Sequence, residues 1–193
     1  MSQQTTSVVM CGVGGQGILL ASEILAQAAM NAGFDVKTNE VHGMAQRGGS
    51  VIGQIRYGKQ VYSPLVAKGT AQALYSLEQS ETLRYADYLA EGGLCVANAQ
   101  QITPVTVSMG AAKYPDNVEQ KLRDQFPRLV FFDASKKAIE LGNIRTANVV
   151  LLGALSNGLD LPVEAWHKAV AACVKPQYKD LNLKAFDEGR KLV

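Results

Sequence analysis

Two glycine clusters hold most of the residues in this sequence whose types and spacing suggest chemistry. The first, Gly12-Val13-Gly14-Gly15-Gln16-Gly17, fits G-x-G-x-x-G. Glycines at that spacing allow a tight turn and a close backbone approach, and the amides that open the next helix favour a phosphate or another anion. A dinucleotide site also requires an acidic residue at the end of the second strand, ~20 residues further on. Glu40 stands in that region. The same glycines would equally serve strand–helix packing with no ligand, so nicotinamide binding and plain packing both remain open on this loop alone. No Walker lysine follows it, which argues against a P-loop ATPase.

The second cluster runs Glu40-Val41-His42-Gly43-Met44-Ala45-Gln46-Arg47-Gly48-Gly49-Ser50-Val51. It sets a carboxylate, an imidazole, a thioether, an amide and a guanidinium beside conformationally free glycines. Taken singly, His42 reads as a solvated surface histidine and Arg47 as an ion-pair partner. Taken together they read as a recognition surface, because open parallel sheets meet ligands and partners at the carboxyl ends of their strands.

Redox and metal chemistry find few candidates. Cys11, Cys95 and Cys173 are far apart, none belongs to a C-x-x-C pair, and the chain has two histidines. Iron–sulfur clusters want four grouped thiolates and structural zinc a comparable set. The expectation is a chain without a metal of its own, whose cysteines are small buried apolar residues in a reducing compartment. A net charge of +2, with the basic residues scattered, does not suit a nucleic-acid binder. No stretch approaches the ~20 apolar residues that span a bilayer, and Met1 to Ser7 carries no basic n-region. A cytoplasmic protein without membrane contact is expected.

The elements that must position these loops follow from periodicity. Thr6–Cys11, apolar and β-branched, predicts a buried first strand. Apolar positions from Ile18 to Ala29 recur at helical spacing within 16–32, and Gly33 stops that helix. Phe34–Val41 predicts a second strand, and the alternation over Ser50–Tyr57 a half-buried third. Residues 58–70 read as an irregular connection. Ala71–Leu77 predicts strand, Ser80–Leu89 a helix closed by Gly92-Gly93, and Leu94–Asn98 strand. Val105–Met109, between Pro104 and Pro115, predicts an edge strand. Asn117 is placed to cap a helix towards Phe126. Leu129–Phe132 predicts strand and Ala134–Leu141 helix. Three helices follow: Ala147–Asn157, apolar nearly all round, then Pro162–Val174 and Asn182–Leu192. Strands alternating with helices, then a helical tail, imply an α/β sandwich with a mostly parallel sheet. With no repeat or linker, residues 1–193 read as one domain.

The two loops together resemble the gamma subunit or domain of 2-oxoacid:ferredoxin oxidoreductases. Pyruvate and 2-oxoglutarate branches of that family usually carry an acidic-Ala-Arg-Gly-Gly form of the second loop. Val-His-Gly-Met-Ala-Gln-Arg-Gly-Gly-Ser-Val here is similar instead to the small subunit of the indolepyruvate branch. Ser63-Pro64-Leu65-Val66, Lys68-Gly69, Ala86-Asp87-Tyr88-Leu89, Ala112-Lys113-Tyr114-Pro115 and Asn148 to Ala154 extend the match along nearly the whole chain. The resemblance implies a Rossmann-like three-layer sandwich with a helical C-terminal region. It implies a heteromer in which a large partner holds thiamine diphosphate and 4Fe-4S clusters, decarboxylates the 2-oxoacid and reduces ferredoxin, while coenzyme A takes the acyl group.

In that arrangement this chain binds no cofactor itself and is inactive alone. Gly12, Gly14, Gly15, Gln16 and Gly17 would supply coenzyme A or anion contacts. Glu40, His42, Met44, Gln46, Arg47, Gly48 and Gly49 would form an active-site wall or subunit interface. A free-standing dinucleotide-binding protein, a purely structural assembly subunit, and a gamma subunit of a pyruvate, 2-oxoglutarate or ketoisovalerate oxidoreductase are the competing readings. A homodimer is the expected assembly of the chain in isolation.

Overall fold

The computed structural model describes residues 5–42 and 48–193. The opening apolar run forms β1 (Thr6–Val13), buried from Ser7 onward. Helix α1 (Ile18–Asn31) buries Ile18, Ala21, Ile24, Leu25, Ala28 and Ala29, the stripe that helical spacing demands of one face. Gly33 follows at φ 86°, a left-handed turn that glycine takes without a Cβ penalty. The chain continues through β2 (Asp35–His42), β3 (Ser50–Gly58), β4 (Ala71–Ser76), α2 (Gln79–Arg84), a 3-10 turn at Ala86–Tyr88 and β5 (Leu89–Asn98). Then come α3 (Val105–Ser108), α4 (Val118–Gln125), β6 (Leu129–Phe132), α5 (Ala134–Glu140), a second 3-10 turn at Ile144–Thr146, α6 (Ala147–Ser156), α7 (Val163–Cys173) and α8 (Lys179–Arg190).

The strands make one six-stranded sheet in the order β2-β3-β1-β4-β5-β6. β1, β4, β5 and β6 pair in parallel, and β3 is antiparallel to both its neighbours. Residues from α1 and α5 to α8 build the larger core on one face, and α2 and α4 cover the other with Ala86, Val118, Leu122 and Phe126. This is the expected three-layer α/β sandwich with a mostly parallel sheet and a helical C-terminal region. Among the described residues no helix is long and apolar enough to cross a membrane.

Four local expectations need correction. β3 is almost wholly buried, not half-buried. Val51, Ile55 and Tyr57 pack in the α1 core, while the irregular connection folds across the opposite face, with the Val66 amide donating to Gln54 at 2.7 Å. Val105–Met109 is not an edge strand. It is the short helix α3 and finds no strand partner, its Val107 and Ser108 amides turning back to Pro104. The helix after β4 ends at Arg84, and Gly92-Gly93 does not close it but lies inside β5. Gly92 adopts φ 71° there, where pairing with β4 slips in register. Asn117 does occupy the N-cap position of α4, but in the left-handed region and without a side-chain cap bond.

The C-terminal helices interlock through glycine. α6 is buried along its length from Asn148 to Ser156. A Cβ on Gly153 would overlap the Phe186 carbonyl of α8, and a Cβ on Gly189 would overlap the Val150 carbonyl of α6. The two backbones touch at both points.

A surface cluster ties α5 to α8. Glu188 accepts from Lys137 at 2.8 Å and from Lys191 at 2.7 Å. Lys137 first and Lys191 second hold its carboxyl down to about 2. A carboxylate with a depressed folded pKa contributes stability that is present above its unfolded value and lost as pH falls through the folded one. Wild type is therefore expected to resist urea better than Glu188→Gln at pH 7. The gap should close between about pH 5 and pH 2. A gap that persists at pH 2 would show that the glutamate acts through packing and not through charge.

Candidate functional site: two loops laced at one sheet edge

The glycine loop leaves the carboxyl end of β1, and the second loop joins β2 to β3 at the same edge. Backbone bonds lace the two together. The Gly14 amide donates to the Gly49 carbonyl at 2.8 Å, and the Gly48 amide returns to the Gly14 carbonyl at 3.4 Å. Two main-chain bonds thus join Gly14 of the first loop to Gly48 and Gly49 of the second. Gly43, Met44, Ala45, Gln46 and Arg47, among them the site candidates Met44, Gln46 and Arg47, lie outside the described residues.

Within the first loop each glycine has its own reason. A Cβ at Gly12 would meet Ile18 Cδ1 at 2.8 Å and Gln16 Oε1 at 2.9 Å. Gly15 sits at φ 102° and Gly17 at φ 86°. A Cβ at Gly17 would meet Asn148 Nδ2 at 2.6 Å, and that amide donates to the Gly17 carbonyl at 3.1 Å. Gln16 does not point to solvent. Its Oε1 accepts from the Val13 amide at 2.7 Å, and its Nε2 donates to the Leu77 carbonyl at 2.8 Å and to Gln100 Oε1 at 2.9 Å. The amides of Val13, Gly14 and Gln16 are all engaged by the protein.

Glu40 is not where a nucleotide ribose would need it. It pairs with Gly53 on the rim strand β2, and β3 stands between β2 and β1. Two strand spacings put its backbone roughly 10 Å from β1. Together with Leu19, Ser22, Glu23 and Thr38 it lines a groove beside α1. His42 is exposed and lies in one cross-sheet row with Val51 and Gly12.

Sequence reasoning missed a second group of residues. A cleft of about 550 Å³ opens beside the glycine loop, lined by Gly15, Gln16, Gly17, Gln100, Ser135, Arg145 and Asn148 among others. It lies between β1 and β4, where the connections of the sheet diverge in opposite directions, the usual ligand crevice of open α/β sheets. Arg145 is exposed at its rim. Asn98 at the end of β5 supports the floor, accepting from the Ala134 amide at 2.9 Å and donating to Ser135 Oγ at 3.2 Å. The one signal available in the sequence was Asn148, a polar residue at the start of an otherwise apolar helix.

Two buried carboxylates on the α2 segment also escaped notice. Glu78, fully buried, caps α2 by accepting from the Ser80 and Glu81 amides. Its other oxygen accepts from the Ile102 amide at 3.1 Å and from the Tyr114 hydroxyl at 2.6 Å, which pins both ends of the α3 excursion. Burial first, and then the bond to Glu78, pushes the Tyr114 hydroxyl up to about 12. Glu81, 4% exposed, accepts from Ser50 Oγ at the start of β3, and Arg84 Nε lies 3.1 Å from its other oxygen.

The thiols offer little nucleophilicity. Cys11 and Cys95 are fully buried, and burial drives the Cys11 thiol far up and the Cys95 thiol up to about 12. Cys173 departs from the expected burial, being only partly covered, with its thiol raised to about 11 chiefly by that partial burial. Among the described residues no group of three or more His, Cys, Asp or Glu is placed to hold a metal ion.

The model of the family described as pyruvate ferredoxin/flavodoxin oxidoreductase matches residues 7–192. Indolepyruvate oxidoreductase subunit IorB from Pyrococcus horikoshii is 46% identical over 190 residues, 96% of this chain and 94% of that protein. The protein of the same name from Archaeoglobus fulgidus is 42% identical over 187 residues, 95% of this chain and 92% of that one. Among solved structures, the gamma subunit of a keto/oxoacid ferredoxin oxidoreductase from Geobacter sulfurreducens superposes with a TM-score of 0.71. It shares 26% identity, with 97% of each chain covered.

Proposed function

Because the chain belongs to the pyruvate ferredoxin/flavodoxin oxidoreductase family, we propose that it is the small, gamma-type subunit of an indolepyruvate:ferredoxin oxidoreductase. The observation that carries the branch is the 46% identity to an indolepyruvate oxidoreductase subunit over nearly the full length of both chains. Residues 1–193 act as one gamma-type domain in the cytoplasm, inactive without a larger partner subunit. That partner holds thiamine diphosphate and the 4Fe-4S clusters, cleaves the bond between the oxo carbon and the carboxylate, and passes the electron pair to ferredoxin. Coenzyme A takes the aryl-acetyl group.

This chain contributes surface. Of the glycine-loop residues Gly12, Gly14, Gly15, Gln16 and Gly17, the last three line the cleft whose rim carries Arg145, a fit for a single phosphate of coenzyme A. Glu40, His42, Met44, Gln46, Arg47, Gly48 and Gly49 form the wall or interface presented to the partner. The free-standing dinucleotide reading loses its support, because β3 separates Glu40 from the glycine loop.

The test is coexpression with the large subunit under anaerobic conditions, a dye acceptor and a panel of 2-oxoacids. Indolepyruvate and phenylpyruvate-type acids are expected to be turned over in preference to pyruvate and 2-oxoglutarate, and omission of this chain should abolish turnover. Preference for pyruvate would move the protein to another branch of the family. Full activity of the large subunit alone would remove the proposed part altogether.

A further inference from the structure

Glu81 is a buried carboxylate without an evident need to be one. Its helix is capped by Glu78, not by Glu81 itself. Its side chain instead reaches across to the sheet and accepts a hydrogen bond from Ser50 Oγ. The Tyr85 hydroxyl lies 2.9 Å from the same Ser50 oxygen. Since Ser50 donates its one proton to Glu81, the tyrosine must donate to Ser50, and the chain of bonds runs from Tyr85 through Ser50 to Glu81. The Glu81 main-chain carbonyl accepts from Cys11 Sγ at 3.6 Å, which fixes α2 against β1.

The position of Ser50 gives this relay its meaning. Ser50 opens β3 directly after Gly48-Gly49, the two residues bonded to Gly14. A shift of Ser50 would carry the Gly49 carbonyl with it and open the lacing between the loops. We propose that Glu81 is a positioning residue for this edge: through Ser50 it sets where the second loop re-enters the sheet, and so fixes the spacing of the two loops that the large subunit meets. The inference rests on the reading that this edge faces the large subunit.

A purely structural role predicts a different pattern from a positioning role. The titratable and charged groups facing the Glu81 carboxylate are Arg84, Tyr85, Glu78 and, from β1, Cys11. Burial outweighs the bonds from Ser50 and Arg84 and raises its pKa. A raised carboxyl works against the fold as pH climbs through its folded pKa, so its ionisation is a cost in the isolated subunit. Glu81→Gln keeps the shape and removes that cost.

The experiment compares Glu81→Gln, Ser50→Ala and Arg47→Ala, each in the isolated subunit and in the assembled enzyme. The isolated Glu81→Gln subunit is expected to melt at or above the wild-type temperature at pH 7, with the difference vanishing in acid. In the assembled enzyme its kcat/KM for indolepyruvate should fall on the order of tenfold, since sub-ångström misplacement is costly at a reacting centre. Wild type should decline towards the variant as pH drops, and the variant should lack that acid limb. Ser50→Ala should lower kcat/KM in the same direction, which keeps the test alive if Glu81→Gln does not fold. Glu81→Gln or Ser50→Ala matching wild type at every pH, with Arg47→Ala impaired, overturns the role of Glu81 and leaves the interface reading standing. All three matching wild type overturns both.

Discussion

Gly189→Ala and Gly153→Ala are each expected to destabilise the folded subunit by ~1–3 kcal/mol or more and to lower its soluble yield. Alanine is the better helix former by ~1 kcal/mol, so local propensity favours both changes. Packing opposes them. At each position the new methyl would overlap a backbone carbonyl of the facing helix, Val150 or Phe186, and a backbone cannot rotate away as a side chain can. Around the crossing, Leu151, Leu152, Trp166 and Phe186 are fully buried, so neither helix has room to retreat. Overpacking of this kind costs ~1–3 kcal/mol or more, against a typical total stability of ~5–15 kcal/mol. Soluble yield and urea midpoints of the two variants check the claim. Midpoints within experimental error of wild type would mean that α6 and α8 part more easily than their contacts imply.

Arg47→Ala is expected to lower turnover of the assembled enzyme about tenfold to a hundredfold while the isolated subunit stays folded. The basis is the chemistry of its fork: a hydrogen bond to a charged partner is worth ~1.5–3 kcal/mol, and a guanidinium offers it bidentate to a carboxylate or phosphate. Arg47→Lys should not rescue, because a point charge does not reproduce that geometry. His42→Ala and Gln46→Ala should have smaller effects of the same kind. Steady-state kinetics of the copurified complex, with circular dichroism of the isolated subunit, separates function from folding. An Arg47→Ala subunit that unfolds alone, yet gives full activity per assembled complex, would make the arginine structural.

The sequence displayed local order well and global order poorly, for a physical reason. Strands β1 and β6 and helices α1 and α6 rest on periodicity and on one stop residue such as Gly33, all of which are local. The neighbour of a strand is not local. The alternation of Ser50–Tyr57 fits a strand with one covered face, and nothing in it shows that β3 would slide between β1 and β2 and be covered twice. The β-branched residues Val105, Thr106 and Val107 favour a strand only where a partner strand exists, and Pro104 instead starts a turn of helix. The candidate site divides the same way. Its glycines announce themselves by composition, while Gln100, Ser135 and Arg145 reach the cleft from elements remote in sequence. Glu81 and Ser50 meet across 31 residues.

The sheet order has a consequence for what this protein can become. A nicotinamide site would need an acid beside the glycine loop, and β3 occupies that place. No single substitution in β2 moves Glu40 inward past β3; only a rearrangement of strand order would. Sequence drift in β2 can therefore retune how the subunit meets its partner without bringing an acid beside the glycine loop. In an assembly whose electrons are meant for ferredoxin, the topology itself withholds that part of a nicotinamide site.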